Sequence, residues 1–139
     1  MIFINEMTIQ ELKQKQLETI LTSNPMLDDY HTGIRTISDI HTFQELYDEE
    51  ILNGSTYDEF DLVVYDEPKS LYVPDIEEIL KKGTITVYSS YPIKQGVFVT
   101  PSKVEARSYS GGKPIHSRRV RLTDVAWIDF NEGQYAKVK

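Results

Sequence analysis

The stretch "QGVFVTPSKVEARSYSGG", residues 95–112, leaves the chain few options. The alternating, β-branched run "GVFVT" specifies a strand. Pro101 has no N–H to lose and a φ suited to the first turn of a helix, with Thr100 before it as a possible cap. Alternatively Ser102 caps, because "SKVE" has capping-box spacing. Gly111 and Gly112 stop the helix. A strand must therefore feed a short helix with almost no loop, and the helix start sets backbone N–H groups beside small hydroxyls, a weak anion site. Ala106 and Tyr109 fall one turn apart on one face. A ring beside a small residue makes a slot for a flat ligand; the plainer alternative is that Tyr109 packs on the sheet.

The rest of the chain divides around this corner. "TIQE" at 8–11 opens a helix to about Thr22, with Ile9, Leu12, Leu17, Ile20 and Leu21 as its apolar stripe. Residues 26–37 are irregular or a short strand. Ser38 or Asp39 can cap a second helix, "DIHTFQELYDEEIL", which places His41 on a helix surface. "FDLVVY" at 60–65 is a strand, and "VPDIEEILKKG" at 73–83 a helix with Pro near its start and Lys81, Lys82 and Gly83 at its end. "TITVYSSY" is a strand, "RRVRLTDVAWID" a long strand or strand pair, and "QYAKVK" a closing strand. His116 falls in a polar loop. The expected class is α+β, helices early and a sheet late.

Composition narrows function. The 139 residues suit one domain. The chain has no cysteine, which removes disulfides, thiolate metal sites and cysteine nucleophiles and fits a cytoplasmic protein. Its three histidines are dispersed, without HxH or HExxH spacing, so no metal site is expected. There is no apolar run of membrane-spanning length and no signal-peptide order at the N-terminus. Net charge is −7, unevenly spread. Residues 28–78 hold fifteen acids against Arg35 and Lys69, a balance of −13; residues 79–139 hold eleven bases against four acids, a balance of +7. Acidity of this size argues against direct nucleic-acid binding. The acidic segment is either a solvated face or a surface steered toward a basic partner.

Two further stretches carry candidate chemistry. In "YHTGIR", His31 can offer a ring nitrogen to a ribose hydroxyl while Gly33 lets the backbone approach a ligand closely; the plainer alternative, and usually the better one, is a turn with a satisfied histidine. "WIDFNEGQYAKV" gathers Asp129, Glu132 and Gln134 around a turn. A carboxylate there can bind a sugar hydroxyl or stabilise developing positive charge; the alternative is an ordinary hairpin. Gly-rich phosphate loops and the GxSxG elbow are missing.

In chain order, "YHTG" at 30–33, "GVFVTPSKVEARSY" at 96–109 and "NEGQY" at 131–135 resemble the ADP-ribosyltransferase fold of the histidine–tyrosine–glutamate type. More narrowly, "DDYHTGIR", "VYSSYPIKQGVFVTPSKVEARSY" and "DVAWIDFNEGQYAKV" look like the transferase-like domain of phage and mobile-element polyvalent proteins. The resemblance spans about residues 24–138 and leaves 1–23 as a helical extension of a single 1–139 domain. It implies a mixed, split sheet around a cleft, with NAD as substrate. His31 would contact the nicotinamide ribose and Gly33 the nicotinamide amide. Tyr109 would stack on the ring, Thr100 and Ser102 would line the pocket, and Glu132 would support an oxocarbenium-like transition state. "YHTG" inverts the Gly–Thr order of the family, and Gln134 stands where a glutamate is expected, with Glu132 two residues earlier.

Two functions follow as expectations. The first is transfer of ADP-ribose from NAD to a host protein or nucleic acid in the host cytoplasm. The second is a non-catalytic acidic protein that occupies the basic groove of a nucleic-acid-binding defence protein, in the manner of anti-CRISPR or anti-restriction proteins.

Overall fold

The computed structural model describes residues 7–23, 33–52, 59–63 and 70–138, with the backbone alone for 50–52, 59–63, 70–75 and 104. Its elements are α1 (Ile9–Ser23), α2 (Phe43–Leu52), β1 (Glu59–Val63), β2 (Ser70–Tyr72), α3 (Val73–Lys82), β3 (Thr84–Ser89), β4 (Phe98–Val99), α4 (Lys103–Ser110), β5 (His116–Arg121), β6 (Val125–Asp129) and β7 (Glu132–Tyr135). The architecture is α+β, and every strand pairing among the described residues is antiparallel: β1 with β2, β3 with β5, and a three-stranded sheet in the order β4-β7-β6.

Thr8 caps α1 as its sequence specifies, Oγ1 accepting the Glu11 N–H at 3.1 Å. Its buried stripe is Leu12, Gln16 and Ile20, spaced four apart. Leu21 stays 58 % exposed, because the stripe turns toward the sheet one position earlier. Gln16 is buried without cost: Nε2 donates to Thr123 O at 3.0 Å and Val125 O at 3.3 Å.

The second helix starts at Phe43, not beside Ser38 or Asp39. Thr42 and Glu45 form the stronger box, Glu45 N donating to Thr42 Oγ1 at 3.1 Å and Thr42 N to Glu45 Oε1 at 2.8 Å. Ser38 and Asp39 belong instead to a 3-10 turn, Ile37–Asp39. His41 is therefore not on a helix. It forms an antiparallel bridge to Trp127, His41 N donating to Trp127 O at 2.8 Å. The long run "RRVRLTDVAWID" is broken by a 3-10 turn at Leu122–Asp124 into β5 and β6, which lie in different sheets, and His116 opens β5 rather than sitting in a loop.

The β4-β7-β6 sheet is the middle layer. Residues opposite one another across antiparallel strands share a face. Val99, Gly133 and Trp127 stand in one row and Phe98, Gln134 and Ala126 in the next. The first face joins a cluster of Val99, Val125, Trp127 and Tyr135 with Phe43 and Leu46 of α2, Ile76 of α3, and Ile85, Val87 and Val120 of the β3–β5 pair. The second joins Ala126 and Ala136 to Ile20 of α1, Ile34 and Ile40. Trp127 is fully buried; its Nε1 donates to Leu122 O at 3.0 Å and Phe43 meets its ring edge-on at 5.1 Å. Trimming it to alanine would cost about 3–5 kcal/mol. A bridge between Tyr88 and Thr100 ties β3–β5 to the central sheet. Among the described residues no helix is long and apolar enough to cross a membrane.

Candidate functional site

The strand-to-helix corner is built as its residues specify, with Ser102 rather than Thr100 as the cap. Ser102 Oγ accepts the Glu105 N–H at 3.0 Å, and Gly111, with φ of 59°, ends α4 in the left-handed conformation. Thr100 is held from both sides: its N–H donates to Tyr88 O at 3.0 Å, and Tyr88 N–H donates to its carbonyl at 2.7 Å. The Thr100 hydroxyl accepts the Ser102 N–H at 3.1 Å. The Glu105 carboxylate is thereby released from the reciprocal half of a capping box. It accepts the Tyr109 hydroxyl one turn along, at 3.0 Å.

These elements border an open cleft. It is lined by Tyr88 and Ser89 of β3 with Ser90 and Tyr91 after it, by Phe98, Val99 and Thr100, by Glu105, Ala106 and Tyr109 of α4, and by Asn131 and Glu132. Tyr109 lines the cleft and is 38 % exposed. Ala106, 3 % exposed, is the small neighbour that leaves it room.

Glu132 reaches this cleft because it opens β7 opposite Asp129, after a turn in which Asn131 N–H donates to Asp129 Oδ1 at 2.7 Å. The next residue must be small. A Cβ on Gly133 would stand 2.6 Å from Val125 Cγ1 and 2.9 Å from Ala126 O.

Four of the residues singled out in the sequence, Thr100, Ala106, Tyr109 and Glu132, thus line one cleft. Two others, Ser102 and Gln134, do not line it. Ser102 is buried at 3 % exposure and spends its hydroxyl on the cap. Gln134 is not in the cleft: it is fully buried, its Oε1 accepting Ile34 N–H at 2.7 Å and its Nε2 donating to Gly96 O at 2.8 Å. A glutamate there would lose the donor and bury a charge, which gives a structural reason for glutamine at 134. Gly33, with φ of 82°, does not line the cleft; it precedes the residue that Gln134 clamps. His31 lies outside the described residues, as do residues 53–58 and 64–69 of the acidic segment.

The sequence reading missed Tyr88, Ser89, Tyr91, Phe98, Glu105 and Asn131 as cleft residues. "YSSY" looks like any β-branched, aromatic strand end, and Glu105 satisfies a capping pattern that hides its side chain's use. Lys113 Nζ stands 5.8 Å from the centre of the Tyr91 ring, at the rim. Among the described residues no group of three or more His, Asp and Glu is gathered to hold a metal ion. No protein-family model, no curated protein and no solved structure matches the chain.

Proposed function

We propose that the cleft receives the nicotinamide end of NAD and that the chain transfers ADP-ribose to a host macromolecule. One observation carries this reading. Thr100, Tyr109 and Glu132 come from the end of a strand, the last turn of a helix and the start of another strand, and they meet in one cleft.

In this reading Tyr109 stacks on the nicotinamide ring and the Thr100 corner bounds the pocket. Glu132 faces the ribose. The C1′–N bond breaks with its electron pair leaving on nicotinamide, so positive charge develops on the ribosyl group. A carboxylate already in place stabilises that charge without reorganising. A nucleophilic atom of the acceptor then bonds to C1′ and gives up its proton to solvent. Incubating the protein with NAD labelled on the adenylate and a host lysate tests the proposal. Label transferred to a macromolecule supports it, and absence of transfer across lysates from permissive hosts overturns it.

A second reading, docking of a basic partner, is favoured by a separate observation. Asp48 and Glu49 of α2 and Glu77 and Glu78 of α3 are exposed on two adjacent helices. Burial raises the Tyr47 phenol above its ordinary value, and the charges of Glu77 and Asp48 add to that rise, which puts acids of both helices near one ring. Such a face can steer a basic groove toward the protein.

A further inference from the structure

We infer that β5 is a docking edge for an extended, acidic segment of a partner protein, which adds to it as an antiparallel strand with two adjacent carboxylates opposite Arg118 and Arg119. The inference is independent of the cleft and of what the cleft binds.

Hydrogen bonding fixes which backbone groups the edge offers. Among the described residues β5 pairs with β3 and with no strand on its other side. In an antiparallel pair, successive residues alternate between bonding the neighbour and pointing away from it. Leu122 N–H donates to Gly83 O at 3.0 Å, which continues the β3–β5 register and so sets the phase. His116, Arg118 and Val120 therefore bond β3, and Ser117, Arg119 and Arg121 point outward. Two further bonds agree. Tyr88, opposite Ser117, exchanges its N–H and C=O with Thr100 on the far side of β3. Arg121 N–H donates to Asp124 Oδ2 at 3.0 Å, which closes the edge at that end. Ser117 and Arg119 remain: both are exposed, and among the described residues nothing pairs with their outward N–H and C=O groups. An open strand edge of this kind takes up another extended chain through its main-chain bonds.

Charge decides what that chain carries. His116–Arg121 holds Arg118, Arg119 and Arg121, all exposed, and no acid. Side chains alternate across a strand, so Arg118 and Arg119 stand on opposite faces. Each is already held in place. Arg118 lies 5.0 Å from the centre of the Tyr135 ring and donates from Nη1 to Ile93 O at 3.4 Å. Arg119 donates from Nη2 to Thr84 Oγ1 at 2.9 Å. A guanidinium has several N–H donors, so both keep donors for a carboxylate, and a fork held beforehand loses less freedom on binding. The occupant that fits is a strand with acids at two neighbouring positions, one for each face. A second copy does not fit. Antiparallel pairing that uses both Ser117 and Arg119 sets Arg118 directly opposite its own counterpart, a repulsive contact. A nucleic acid fits less well, because its phosphate chain offers no N–H to the outward carbonyls and a protein of net charge −7 repels a polyanion.

The test titrates the full chain into a fluorescent, end-capped peptide, Thr-Val-Thr-Glu-Glu-Val-Thr-Val, and follows anisotropy and amide hydrogen exchange. This peptide should bind saturably, about fivefold or more tightly than its Gln-Gln counterpart. Exchange at Ser117 and Arg119 should slow, while Arg118 and Val120, already bonded to β3, should not change. N-methylation of alternate residues blocks one edge of the peptide at a time. Methylating one edge should weaken binding about tenfold or more, and methylating the other should leave it. Ser117→Pro removes an outward donor and keeps every arginine, so it should weaken both peptides alike. These peptide changes leave the protein untouched, so misfolding cannot imitate their result. Equal affinity for the Glu-Glu and Gln-Gln peptides, indifference to methylation of either edge, or no saturable binding would each overturn the inference. So would tighter binding of an oligothymidylate of similar length, which would assign the arginines to phosphate. A dimer of the free protein in which the Ser117 and Arg119 amides are already protected would assign the edge to a second copy and overturn it too.

Discussion

Gln134 Oε1 accepts the Ile34 N–H at 2.7 Å, a hydrogen bond that joins backbone and side chain across 100 positions. With Nε2 donating to Gly96 O, one amide ties the segment after Gly33 and the entry to β4 onto β7, the strand that begins with Glu132. Gln134→Glu should therefore destabilise the protein by about 2–4 kcal/mol, through a lost donor and a buried charge. It should not raise transfer activity. Urea unfolding measures the first, and an unchanged midpoint would show that the amide is dispensable.

Gly133 is required for space, not for backbone freedom. Gly133→Ala drives a Cβ against Val125 Cγ1 at 2.6 Å and Ala126 O at 2.9 Å, and the backbone oxygen cannot move aside cheaply. The expected loss is about 1–3 kcal/mol, read as a lowered thermal midpoint.

Stability should fall on the acid side through Glu45. Burial pushes its carboxyl up, but hydrogen bonds from Lys13 Nζ and the Thr42 N–H more than offset this and leave it below the ordinary value of 4.5. A carboxyl depressed in the folded state stabilises it above the unfolded value and loses that contribution as pH drops through the folded value. Asp39, lowered by the Arg35 and Thr36 N–H groups, acts in the same direction. The Lys13–Glu45 pair, at 2.8 Å, leaves the Glu45 side chain 42 % exposed, so solvent screening keeps it to about 1 kcal/mol or less. Glu45→Gln should flatten the stability profile below about pH 5, as measured by denaturant midpoints across pH.

Transfer should depend on the charge of Glu132. Glu132→Gln keeps size and hydrogen bonding and removes the carboxylate, so it should slow label transfer by about 10²-fold or more with folding intact. Transfer at the wild-type rate would take Glu132 out of the mechanism.

Docking by the acidic face has its own signature. Reversing Asp48, Glu49, Glu77 and Glu78 to lysine should slow association with a basic partner, and the difference should shrink as salt shortens the screening length below about 8 Å. Association rates indifferent to the reversal at low salt would leave these acids as a solvated surface.

One part of the site, the strand-to-helix corner, was legible because its signals are local. Ser102, Glu105, Ala106, Tyr109 and Gly111 lie within one short helix and its caps, and the 3.6-residue period alone sets which of them share a face. The second helix was misplaced for the converse reason. Ser38, Asp39 and Thr42 are all good caps, and the choice went to Thr42 because the bridge between His41 and Trp127 holds residues 40–41 extended.

By itself the sequence determined the α+β class, the strand-to-helix corner, the missing thiol chemistry and the separation of acidic from basic segments, since each depends on neighbours in the chain or on composition. Tertiary structure alone decided that Glu132 lines the cleft while Gln134 is sealed behind it, and that the carboxylate of a capping pattern turns to Tyr109. Side chains two apart on a strand point to the same face, so period could not separate Glu132 from Gln134. What separates them is what covers each position: the backbone of Ile34 and Gly96 over one, and the open cleft beside the other.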